Sequence, residues 1–108
     1  MATDLLEKLD EHQPGYVSVA VLVELHWVLR RAHQVPASRA AEVVQRLLDA
    51  KEIRVAEADV VRRALARAAE GIDFVDALIG ELGAAAGCEA TVTFDRRASH
   101  LPHMRLLQ

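Results

Sequence analysis

The chain is poor in cysteine, aromatic residues and positive charge, and each shortage removes a class of function. A single cysteine, Cys88, in 108 residues excludes an internal disulfide framework and a cysteine-based zinc site. Aromatics make up 4% of the chain, too few for a platform of several exposed rings that stacks single strands. The formal net charge of −3 argues against a protein that coats nucleic acid by charge alone. An enzyme that acts on nucleic acid through a bound metal stays open. No apolar run approaches the roughly 18 residues of a membrane span. The opening stretch sets Asp4, Glu7 and Asp10 against Lys8, without the positive start and apolar centre of a signal peptide. A cytoplasmic location without membrane contact is therefore expected. No internal repeat, linker or low-complexity segment interrupts the chain.

What is present reads as one globular domain over residues 1–108, 52% hydrophobic and 27% charged. Thr3 can cap a short helix from Asp4 to His12, which Gln13-Pro14-Gly15 stops. Tyr16–Ser18 reads as a strand, and Ser18 as the cap of a helix from Val19 to Arg31. The stripe of Val21, Leu22, Leu25, Val28 and Leu29 suits a helix packed on a sheet. After the break at Gln34-Val35-Pro36, Ser38 caps a helix from Arg39 to Ala50, with Val43, Val44, Leu47 and Leu48 inward. A strand at Ile53–Val55 and a helix from Ala58 to Glu70 follow, closed by Gly71. Asp73 then caps a helix from Phe74 to about Ala86, and strands follow at Ala90–Thr93 and Met104–Leu107. Strands alternating with helices predict an α/β fold with a short parallel sheet flanked by helices.

Open α/β sheets place ligands at the carboxyl ends of their strands. Asp95 lies just beyond the Ala90–Thr93 strand, with Thr93 at its last position. Glu24 lies in the helix after the first strand, among Val21, Leu22, Val23 and Leu25. Asp76 lies in the first turn of the fifth helix, within Phe74-Val75-Asp76-Ala77-Leu78-Ile79. Taken singly, Asp73 is a helix cap, Asp95 a turn residue and Glu24 a surface acid on a helix edge. Taken together, converging carboxylates would repel one another unless a divalent cation sat among them. Mg²⁺ takes oxygen ligands and accepts phosphate, which fits phosphodiester hydrolysis.

Three segments also carry a family resemblance. Val17-Ser18, Val21–Leu25 and Trp27–Leu29 form the first, Asp73–Ile79 the second, and Val92–Arg97 with Leu101-Pro102 and Met104–Leu107 the third. In order and spacing they resemble the PIN-domain ribonucleases, and more narrowly the VapC-type toxins of bacterial toxin–antitoxin pairs. The resemblance implies a three-layer PIN-like fold and a metal-dependent endoribonuclease using Mg²⁺ or Mn²⁺. Carried over by position, Glu24, Asp76 and Asp95 are the catalytic and metal-binding acids, with Thr93 and Asp73 in support. It further implies an RNA substrate, a cognate antitoxin and a homodimer. The family opens on a central strand ending in an acid, and nothing in Met1–Gln13 matches it. The chain is therefore expected to be an N-terminally truncated PIN-like domain whose first, central strand is absent and whose activity is impaired. The alternative function is a catalytically inactive PIN-like binding or dimerisation module. A receiver-like phosphoacceptor would need a Lys after a later strand, and neither Lys8 nor Lys51 is so placed.

Arg30-Arg31 and Arg62-Arg63-Arg67 read as solvated helix faces and ion pairs. Arg96-Arg97, next to Asp95, suit a bidentate grip on an RNA phosphate. Trp27 reads as core or a dimer contact, Cys88 as a buried small residue, and His26 as a surface or groove residue. His100 and His103 are expected to face solvent.

Overall fold

A computed structural model describes residues 12–101 and 104–107. The expected helix from Asp4 falls outside the described residues up to residue 11, as do Pro102 and His103. The chain divides into two compact units, Met1–Ala58 and Asp59–Gln108.

The first unit opens with strand β1 (Gly15–Val17), which pairs in parallel with β2 (Ile53–Val55), Tyr16 opposite Arg54. Between them lie helices α1 (Val19–Trp27) and α2 (Ala37–Asp49). Ser18 caps α1 as its sequence position suggests, its hydroxyl accepting from Val21 N at 3.2 Å. The continuous helix expected to Arg31 is instead interrupted. From Val28 to Ala32 the backbone widens into a π-helical turn, with His33 N donating to Val28 O at 3.1 Å. Gln34 follows in the left-handed region (φ 52°), and the Arg30 guanidinium donates to Val35 O at 2.8 Å. Ser38 does not cap α2. The helix starts at Ala37 behind Pro36, whose carbonyl accepts from Ala40 N at 3.0 Å, so Ser38 already lies inside the first turn. α2 packs on β2, and Leu22, Ala40 and Val44 are buried.

The second unit contains α3 (Ala58–Ala69, its first residue still in the first unit), α4 (Phe74–Ala85), β3 (Thr91–Thr93) and β4 (Met104–Leu106). β3 and β4 are parallel, Val92 opposite Arg105, and a short 3-10 turn (Ala98–His100) lies between them in the chain. Gly71 ends the α3 segment with φ +99°, a conformation that favours glycine. Val60, Val61, Ala64, Phe74, Ala77, Leu78 and Met104 are buried. α4 lies against β3 so closely that a Cβ at Gly83 would overlap the Thr91 hydroxyl. That hydroxyl is itself buried without a hydrogen-bond partner.

The arrangement is the expected α/β class, with short parallel sheets flanked by four helices. Among the described residues no helix is long and apolar enough to cross a membrane. Three burial expectations are corrected. Trp27 is 59% exposed and so is not core, because the buried side of α1 is carried by Leu22 and His26. His26 is buried, not a surface residue. Cys88 is exposed, since it lies in the turn after α4 rather than under a strand.

Candidate functional site

The start of α4 and the end of β3 set the acids of the second unit. Asp73 has extended backbone and leaves α4 with an open first turn. Its carboxylate closes that turn by accepting from Asp76 N at 3.1 Å, while its carbonyl accepts from Ala77 N at 2.9 Å. The capping role accounts for Asp73 locally and fixes the backbone that carries Asp76. The Asp76 side chain is half-buried.

Asp95 is exposed and held by its own loop. The Thr93 hydroxyl accepts from Asp95 N at 3.1 Å, so Thr93 orders the backbone entering Asp95. Asp95 Oδ1 in turn accepts from Arg97 N at 2.8 Å, a local turn in which a short acid side chain replaces a backbone carbonyl. Ser99 tightens the same loop, its amide donating to Asp95 O at 3.0 Å and its hydroxyl to Arg96 O at 2.6 Å. Arg96 and Arg97 are exposed.

The electrostatics tie these residues together. Burial pushes the Asp76 carboxyl above the ordinary aspartate value, and the negative charges of Asp73 and Asp95 push it further. The Arg97 guanidinium opposes them. The structure thus brings Asp73, Asp76, Asp95 and Arg97 into one neighbourhood. Glu24 belongs to the first unit, where it is exposed on α1 between half-buried Val23 and Leu25. Among the described residues, no group of three or more His, Cys, Asp and Glu side chains is arranged to hold a metal ion. The donors at hand are hard carboxylate oxygens, the kind that suits Mg²⁺ or Mn²⁺, and the repulsion felt by Asp76 is what a cation would relieve.

Arg62, Arg63 and Arg67 behave as ion-pair partners. Arg62 meets Asp59 at 3.4 Å, Arg63 meets Glu81 at 3.2 Å and Arg67 meets Glu70 at 4.0 Å. The sequence reading missed a cleft lined by Asp76, Gly80, Glu81 and Arg67. Its only trace in the sequence is that Asp76 and Gly80, and likewise Ala77 and Glu81, are spaced four apart on one helix.

No curated protein and no solved structure matches the chain significantly. A family model does: the PIN domain, over residues 2–104. PIN domains are generally nucleases that act on RNA and typically use divalent metals. With nearly its whole length matched, this chain belongs to the PIN-domain family.

Proposed function

We propose that the chain is a metal-dependent endoribonuclease of the VapC toxin type, with Glu24, Asp76 and Asp95 holding Mg²⁺ or Mn²⁺. The observation that carries this reading is the repulsion that Asp73 and Asp95 exert on Asp76, with Asp73 and Asp76 at the start of α4 and Asp95 and Arg97 just beyond the carboxyl end of β3. These carboxylate oxygens would hold the cation, which when bound would supply water activation and charge neutralisation for phosphodiester hydrolysis. The protein's own groups position the substrate. Arg96 and Arg97 reach an RNA phosphate with planar donor forks, while the Thr93 hydroxyl and the Asp95 turn keep that loop in one conformation. Asp73 holds the first turn of α4, and with it Asp76, in place.

Trp27 and Val28, exposed on the first unit, are the surface through which two copies would pair as a homodimer. In this reading a cognate antitoxin holds the nuclease off, and the enzyme works in the cytoplasm as a single PIN-like domain over residues 1–108.

The test is RNA cleavage with Mn²⁺ by the chain and by Asp76→Asn side by side. Cleavage that disappears in the variant supports the reading. Equal cleavage by both removes Asp76 from the site. Absence of cleavage by either chain replaces the enzyme with a binding or dimerisation module.

A further inference from the structure

A half-open cleft of about 50 Å³ lies in the second unit and shares Asp76 with the candidate site. By this measure a water needs roughly 10–15 Å³, so the cleft holds a few waters or the edge of one flat ring. α4 lines it with Asp76, Gly80 and Glu81, α3 with Arg67, and Leu101 and the first residue of β4, Met104, line it too. Gly80 keeps it open: a Cβ there would lie 3.7 Å from Met104 Sδ, in the space a ligand would use. Glu81 is a fixed acceptor, because its Oε1 takes the Arg63 Nε hydrogen bond at 3.2 Å and its side chain is only 18% exposed. A carboxylate retains further lone pairs after one such bond.

We infer that this cleft is a nucleobase subsite selective for guanine. The argument is one of complementarity. Guanine offers two adjacent N–H donors, on N1 and N2, which a carboxylate such as Glu81 accepts together. The Watson–Crick edge that carries these donors is therefore the edge that enters the cleft. Adenine and cytosine each place an acceptor beside their amino donor, and uracil flanks its one N–H with two carbonyls, so each would set an acceptor against the carboxylate. Ala77, Leu101 and Met104 suit the apolar faces of a ring. Because Asp76 borders both places, the guanine belongs to a nucleotide adjoining the scissile phosphate. That last placement rests on the ribonuclease reading, whereas the base selectivity of the cleft does not.

The experiment titrates the full, isotope-labelled chain with guanosine, adenosine, cytidine and uridine, following the amide signals of Gly80, Glu81 and Met104. Nucleosides carry no phosphate, so the arginines near Asp95 do not contribute. Guanosine is expected to move these signals and to bind about tenfold more tightly than the others. Glu81→Gln, which keeps an oxygen for Arg63, is expected to erase that preference. Gly80→Ala is expected to weaken guanosine binding while the rest of the spectrum stays native. Equal binding of all four nucleosides, shifts confined to other regions, or an unchanged preference in Glu81→Gln would each overturn the inference. RNA cleavage is scored in parallel. Selective guanosine binding by a chain that cuts no RNA upholds the subsite and sinks the ribonuclease reading. Cleavage indifferent to guanine, with no selective binding, does the reverse.

Discussion

Gly83 gives the most direct mechanical test of the second unit. Its Cα hydrogen faces Thr91 at the start of β3, and an added Cβ would overlap the threonine hydroxyl while sitting 3.3 Å from Thr91 Cβ. Gly83→Ala therefore forces α4 and β3 apart or drives Thr91 off its rotamer. Overpacking of this kind costs about 1–3 kcal/mol. Replacing a mid-helix glycine by alanine returns about 0.5–1 kcal/mol. The net expectation is a loss of about 1–2 kcal/mol, or roughly 5–15 °C in Tm for a unit of this size. Thr91→Ala alone should range from neutral to stabilising by about 2 kcal/mol. It removes a buried hydroxyl that has no partner, a relief of about 1–3 kcal/mol, and forfeits about one methyl group of burial, roughly 1 kcal/mol. The double variant should recover most of the loss, because the added methyl then occupies the vacated space. Urea unfolding of the four proteins, with unchanged m-values, measures the coupling directly. Gly83→Ala as stable as the parent, or two changes that simply add, would refute the close approach of α4 to β3.

Three further outcomes are expected. Asp76 has a folded pKa raised above 3.8, so its neutral form stabilises the fold below that value and the benefit is lost as pH rises through the raised pKa. Asp76→Asn should accordingly be more stable than the parent at neutral pH in chelator, with the gap closing in acid; a thermal-unfolding pH series in which the parent is the more stable at neutral pH would contradict this. Ser18→Ala and Asp73→Ala each remove a cap and should cost about 1 kcal/mol in denaturant unfolding. The Asp73 loss should be the smaller at neutral pH, since it also removes a charge that repels Asp76. Trp27→Glu, at a residue 59% exposed, should change the unfolding free energy by less than about 0.5 kcal/mol. It should lower the mass seen by sedimentation if Trp27 joins two copies, and an unchanged dimer mass would place the contact elsewhere.

The local features were legible in the sequence because they depend on bonds within a few residues. Ser18 and Asp73 cap their helices, Gly71 takes up its positive φ, and β2 runs from Ile53 to Val55. Each follows from the chemistry of one residue and the groups next to it in the chain. The same is true of the Asp95 turn, whose partners are two residues to either side. Where two local signals competed, the sequence misled. Ser38 is a good cap, yet Pro36 suits the residue before a helix and α2 begins behind it.

Burial was not legible. Trp27, Val21 and Val28 are apolar and exposed, while His26 is buried, because α1 carries apolar residues around most of its circumference and periodicity alone does not say which side meets a neighbour. Cys88 was misjudged because its place just before a strand in the sequence does not say that it is covered; it lies in the turn after α4, exposed. Nor could spacing reveal the gap at Gly80, which exists only because α4, α3 and the approach to β4 come together there. The sequence by itself determined the order of the described elements, the Ser18 and Asp73 caps and the place of Asp76 and Asp95 beside element ends, all short-range consequences of side-chain chemistry. The tertiary structure alone decided that Asp95 and Arg97 act on Asp76, since charges 19 and 21 positions apart couple only after folding brings them near.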